Sequence, residues 1–436
     1  MSYQENRYTH IRDAWNEAHA RGLSPLEALV YRSNRLGEDR RITNTGGGST
    51  SLKVMEKDPV SGESVEIIWI KSAGQDLRTS RRSHFSPLYQ DKLVALRDCY
   101  QPQPRAKAEK TLAERIRAAA FNRVASEPSA PSTPSVDTPL HALMPYAHVS
   151  HIHPNSAIAV GACKNSRSLT TAIWGENMLW VPRARPGFEQ GIPLQEAWSQ
   201  QPDATGALLA GNGIATWSDD NRLCYQQTLD IIEAASRYIA ARDRGEETFG
   251  GQRYANLDEV TRQSLLASIL RHLTDLVSRD GLVATTVESG PETMRFVNSA
   301  DAPRLANEGV ACMHHLRLAR LKPLYVDWDP QSDTLETLQR RLEQGLQTYR
   351  RERRAHDEAQ RQHPGQDDPS RRRSTAPWVY LIPGIGLISV GRCESDSRVT
   401  AEAYQSAIEV MRCAEAIGTY VGLTEREARD IEYRRR

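Results

Sequence analysis

No apolar run in this chain is long. The longest are short stretches such as Ala157–Cys163 and Ala207–Ala210, whereas a helix that crosses a membrane needs about 18–20 consecutive apolar residues. A core must therefore be assembled from many short segments, and the chain offers two kinds. Strand-like runs read at Ser64–Lys71, His148–His153, Met178–Val181 and Gly206–Leu209, with two short pieces around Pro383-Gly384-Ile385-Gly386. Helical spacing of apolar residues reads at 9–36, 110–122, 140–144, 222–241, 258–279, 334–356 and 399–422. No internal repeat is present.

A length of 436 residues exceeds the roughly 100–200 of an ordinary domain. We read it as one large domain over 1–436 with two excursions. The first, 101–133, is an inserted helix with a Pro/Ser-rich loop. The second, 334–376, is a charged helix running into a loop poor in apolar residues and rich in charge, which marks a flexible segment.

Charge removes one class of function. Lys and Arg number 56 against 55 Asp and Glu, so no global basic field points to nucleic acid. The polar N-terminus lacks the apolar core of a signal peptide. Six cysteines, Cys99, Cys163, Cys224, Cys312, Cys393 and Cys413, stand far apart without a CxxC pair. They read as small buried hydrophobes in a reduced, cytoplasmic protein.

Three local patterns carry chemistry. In His151-Ile152-His153-Pro154, alternate strand residues share a face, so two imidazoles sit roughly 6.5–7 Å apart at the backbone and can converge on one ion. The bland alternative is a pair of polar residues on an exposed strand edge. Asp137, in Pro134-Ser135-Val136-Asp137-Thr138, is either a ligand or general base beside that ion or a helix N-cap. The small-residue turns Thr45–Ser51 and Ser72–Gly74 are either anion nests or simple tight turns. Neither fits a Walker loop, and Gly384-Ile385-Gly386 does not complete a dinucleotide fingerprint.

Together these pieces resemble the class II aldolase/adducin family. The carrying stretches are NTGGGSTSLK at 44–53, IKSAGQDL at 70–77, PSVDTPLHALMPYAHVSHIHP at 134–154, WVPRARPGFEQG at 180–191, GALLAGNGIATWS at 206–218 and YLIPGIGLISVG at 380–391. They fall in family order over nearly the whole chain. The branch they resemble most is typified by the aldolase part of bifunctional rhamnulose-1-phosphate aldolase/alcohol dehydrogenases.

The resemblance implies an α/β fold, an α/β/α sandwich around a mainly antiparallel sheet with helical extensions. It also implies a homotetramer and a small phosphorylated ketose cleaved through an enediolate. A divalent metal, usually zinc, would be held by three histidines. His151 and His153 match the first two ligands, and Asp137 matches the acid that moves the proton. Asn44, Gly47, Ser49, Ser72 and Gly74 match phosphate-binding turns. His315 matches a family histidine, whereas His314 reads as a surface residue.

One position departs from the family. Asn212, in Ala210-Gly211-Asn212-Gly213-Ile214, stands where relatives place the third histidine, and an amide is a poorer zinc ligand than imidazole. Three outcomes follow: Asn212 ligates weakly, Asp137 completes the ligand set, or metal binding is lost. Function is accordingly read as aldol chemistry. The alternatives are a diverged epimerase or decarboxylase and a non-catalytic adducin-like protein. The chain ends near where the dehydrogenase of the bifunctional relatives would begin, so no NAD chemistry is expected of it.

Overall fold

A computed structural model describes residues 11–44, 46–100, 105–121, 133–361 and 374–432. Thr45, the Pro/Ser-rich stretch 122–132 and the charged loop 362–373 lie outside the described residues. Where the sequence suggests one domain, the chain divides into two compact units. Unit 1 comprises residues 1–242 with 417–419 and 426–436, and unit 2 comprises 243–416 with 420–425. Each has its own sheet. The second was hidden because its outer strands are too polar or too short to show a pattern.

Unit 1 is built on a seven-stranded sheet, ordered β3-β2-β1-β4-β7-β6-β5. Its strands are β1 (Ser49–Lys57), β2 (Ser64–Lys71), β3 (Phe85–Tyr89), β4 (His148–Ile152), β5 (Met178–Val181), β6 (Gly206–Leu209) and β7 (Gly213–Ser218). Every pairing is antiparallel except β5 with β6. The expected mainly antiparallel sheet is therefore present.

Helices cover both faces. Thr50, Ser150 and Thr216 stand in register across β1, β4 and β7. That face meets α1 (Pro25–Glu38) through Ser33, whose hydroxyl lies 2.7 Å from that of Thr50. The same face meets α4 (Asn221–Ala240) through Thr228, 2.7 Å from Thr216. The opposite face carries α2 (Thr138–Leu143) and α3 (Phe188–Gln200), whose Leu140 and Leu194 pack with Val149, Ala215 and Trp217.

The expected single helix over 9–36 is broken. A short helix, Glu17–Ala20, ends before Gly22, and α1 restarts at Pro25. The restart has a local cause. Ser24 and Glu27 form a reciprocal capping box, and proline suits the first helical position, where no intrahelical partner exists for its missing N–H.

Unit 2 carries a four-stranded sheet ordered β8-β11-β10-β9. The strands are β8 (Ala284–Glu288), β9 (Leu324–Tyr325), β10 (Val379–Ile382) and β11 (Gly386–Gly391). Two helices, α5 (Glu259–Val277) and α6 (Leu335–Arg361), share its core. The charged helix is thus not an excursion over its first turns. Leu338, Leu342 and Leu346, four residues apart, form one buried stripe. His315 is fully buried in this unit and His314 is half-buried rather than exposed. All six cysteines are free thiols; Cys99 and Cys393 are exposed and the other four buried. No helix among the described residues is long and apolar enough to cross a membrane.

Candidate active site

The site lies on the unit 1 sheet where β1, β4 and β7 run side by side. Register places Ser49 opposite His151, and His151 opposite Ala215. Alternation then puts Ser49, Ser51 and Lys53 on one face of β1. The helix α2 lies over that face. Asp137 occupies its N-cap position but makes no side-chain cap hydrogen bond, so the capping role is not the one its carboxylate takes. His141 follows four residues later and therefore projects from the same side of the helix.

Two hydroxyls and an imidazole nitrogen gather on one carboxylate oxygen. The hydroxyls of Ser49 and Ser135 donate to Asp137 Oδ2 at 3.1 and 3.3 Å, and His151 Nδ1 stands 3.3 Å from the same atom. Oδ1 carries no hydrogen bond among the described residues, and the side chain keeps 12% exposure. Burial alone would raise the carboxyl pKa, but the His151 imidazole outweighs it and holds the group well below the ordinary carboxylate range. The reverse holds at His151: burial disfavours its charge, yet Asp137 raises its pKa. Each thus favours the charged form of the other.

Two buried lysines flank the site. Lys53 Nζ donates to the carbonyls of His141 at 3.0 Å and Tyr146 at 2.9 Å, and also to that of Met144. It thereby satisfies carbonyls at the C-terminal end of α2 that have no helical partner. Lys71, at the end of β2, is buried with Asp137 and Asp76 as its nearby negative charges. Burial pushes both ammonium groups down to about 8.

The glycine-rich turns come together, with their hydrogen bonds largely internal. Gly47 N–H donates to Asn44 O, Ser72 N–H to His84 O and Ala73 N–H to Thr133 O. Ser72 Oγ pairs with Ser86 Oγ at 3.0 Å, and Asn44 Nδ2 donates to Asn155 Oδ1 at 3.5 Å. The anionic partner of the first turn is Asp76, whose carboxylate accepts from Gly46 N–H at 2.6 Å. Gly74 closes the second turn at φ +79°. Ser49 points instead at Asp137.

The donor set can be tested against a metal ion. The rings of His151 and His153 lie side by side, centroids 4.8 Å apart. However, His151 Nε2 donates to the main-chain oxygen of Asn212 at 2.7 Å, while Nδ1 faces Asp137. Nε2 is thus committed, and only Nδ1, already facing Asp137, is left to offer a cation. Asn212, 2% exposed, donates its amide to Gln190 Oε1 at 2.6 Å. Among the described residues no three His, Cys, Asp or Glu side chains assemble a metal site. As arranged, these residues do not fit the three-imidazole ion that the resemblance implies.

Sequence models of known families match both units. The family described as class II aldolase and adducin N-terminal domain matches residues 27–239, and the one described as aldolase class II, second domain, matches 261–435. The chain belongs to the class II aldolase family. This class II aldolase relative is 34% identical over 424 residues to the uncharacterized oxidoreductase YuxG of Bacillus subtilis (strain 168), covering 97% of the chain and 59% of that protein. Among solved structures it is similar to the N-terminal class II aldolase domain of a conserved protein from Thermoplasma acidophilum. That likeness has a TM-score of 0.46 and 23% identity, covering 53% of this chain and all of the other. A sugar-phosphate aldolase from Thermotoga maritima is similar at 0.35 and 13% identity, covering 51% and 95%.

Several residues of this aldolase-family site escaped sequence reasoning. His141 had a signal, its four-residue spacing from Asp137 on a helix. Ser51 and Lys53 alternate with Ser49, but β1 is so polar that it reads as a turn. Gln190 had none, since only folding places it beside Asn212.

Proposed function

We propose that the chain catalyses an aldol-type reaction, cleaving or forming a carbon–carbon bond in a small phosphorylated ketose of the rhamnulose 1-phosphate kind. The observation that carries this reading is the asymmetry of Asp137. Two hydroxyls fix Oδ2 with the His151 ring beside it, and Oδ1 is left to exchange a proton with a substrate hydroxyl or carbon. His151 keeps the carboxylate ionised. For the phosphate, the turns around Asn44, Gly47, Ser72 and Gly74 offer a seat that already accepts one anion, the Asp76 carboxylate, with Lys71 as the buried cation nearby. A homotetramer and a cytoplasmic location complete the proposal; light scattering on purified protein tests the first.

The direct test is an assay that reports dihydroxyacetone phosphate released from 6-deoxyketose 1-phosphates. Asp137→Asn is expected to lower kcat about 10³-fold, within the range for losing a positioned acid or base. No release by the natural protein, or equal rates for the variant, would refute the aldol reading.

A second reading, a diverged epimerase or decarboxylase or a binding protein, is favoured by the Asn212–Gln190 pair standing in place of a third imidazole. Asn212→His, combined with Gln190→Ala to make room, restores the family's ligand type. Zinc retained after dialysis is expected to rise from a small fraction toward one ion per chain. Unchanged zinc would mean that the rings of His151 and His153 do not converge on position 212.

A further inference from the structure

We infer that Ser51, His141 and Ser49 form a one-way hydrogen-bond relay ending on Asp137 Oδ2, in which His141, neutral and protonated on Nε2, is a positioning residue for the carboxylate. The polarity follows from counting protons. An ionised carboxylate only accepts, so the single proton of Ser49 Oγ points at Asp137 Oδ2, 3.1 Å away. His141 Nε2 lies 2.8 Å from the same hydroxyl oxygen. That oxygen has no second proton, so the ring must donate from Nε2.

The other nitrogen, Nδ1, lies 2.8 Å from Ser51 Oγ. If it too carried a proton, Ser51 would have to accept, and its own proton would need another acceptor. Among the described residues Ser51 Oγ has none. A neutral ring with its Nδ1 lone pair accepting from Ser51 satisfies every group. His141 is also fully buried, and burial, the larger effect, favours the uncharged ring although the Asp137 carboxylate pulls the other way.

The relay is held rigid at both ends. Ser49 and Ser51 belong to one strand, two residues apart on one face. The ring's helix is fixed through the bond from Lys53 Nζ to His141 O at 3.0 Å. Asp137 therefore receives Ser49's proton in one orientation, and Oδ1 is kept turned away from the relay.

The catalytic meaning of the relay rests on Asp137 as the proton-moving group, but its polarity does not. Joint neutron and X-ray diffraction of the deuterated full chain reads that polarity without any variant or substrate. Deuterium on His141 Nε2 alone, with the Ser49 deuterium toward Asp137, is the expected result. Deuterium on Nδ1, or on both nitrogens, overturns the relay. Kinetics then test positioning, with rhamnulose 1-phosphate as the probe. Ser51→Ala is expected to lower kcat about tenfold with KM within about twofold, and Ser51→Thr to recover most of the rate. A natural kcat in Ser51→Ala would overturn the positioning role. If the natural protein does not cleave the probe, the aldol reading fails, and the neutron map alone upholds or overturns the relay.

Discussion

Lowering the pH from 6.5 to about 5 is expected to destabilise unit 1 by several kcal/mol, well before its carboxylates titrate. Two buried imidazoles set this. Burial pushes His141 well below its ordinary 6.5. Burial first, then the cations Arg32 and Lys53, push His148 down to about 3. Both rings stay neutral in the fold but take up protons at 6.5 once unfolded. Stability from a depressed pKa is complete above the unfolded value and falls as the pH drops toward the folded one. Two protons correspond to roughly 3 kcal/mol per pH unit.

The Asp137–His151 pair does not reverse this trend. Its raised histidine contributes fully below 6.5, and its depressed carboxylate contributes fully above 3.8, so it is constant through the window. Among its described residues unit 2 holds one such ring, His315, pushed by burial to about 3, and should lose roughly half as much per pH unit. Urea melts followed by circular dichroism between pH 7.5 and 5 measure the slope. His148→Gln should remove about one proton's share of it. A midpoint that does not move between pH 6.5 and 5 would rule out neutral, buried rings at these positions.

Gly213→Ala should be the most damaging single methyl in the site, at about 4 kcal/mol. Gly213 begins β7 at φ +86°, a region that costs a residue with a Cβ roughly 1–2 kcal/mol. An added Cβ would also stand 2.1 Å from the main-chain oxygen of Ile152. Backbone, unlike a flexible side-chain end, cannot step aside, and overpacking of this kind costs about 1–3 kcal/mol more. The strand that must move carries His151, so the loss should also spread the His151–Asn212 contact. Gly74→Ala is the matched control: its φ is +79°, yet nothing lies within 4 Å of the added carbon. It should cost about 1 kcal/mol. Equal melting temperatures for the two variants would remove the steric argument.

Much of the site was legible one residue at a time. His151-x-His153 announced two imidazoles on one strand face, and family order across six stretches announced the sheet with its helices. Asp137 was recognisable as an acid that could stand beside those imidazoles. What could not be read was the direction of each side chain's hydrogen bonds. Ser49 looked like part of a phosphate turn because it follows three glycines, yet β1 already begins there and turns its hydroxyl to Asp137. Asn212 read as a substituted ligand, but its partner, Gln190, is 22 residues away in sequence and reaches it only through α3. The hydroxyl-rich β1 was invisible as a strand because its inward residues are polar and satisfied by α2 rather than by an apolar core.

The order of local residues alone therefore determined which elements could form, where helices start, and which residue types were available for acid–base work. Those properties depend on short-range sterics and on spacing along the backbone. Only the tertiary structure decided that His151 turns Nε2 to Asn212 and Nδ1 to Asp137, that Asp76 fills the glycine turn, and that unit 2 folds around its own sheet. Each of these is a choice of partner between segments distant in sequence, and burial away from water is what makes that choice binding.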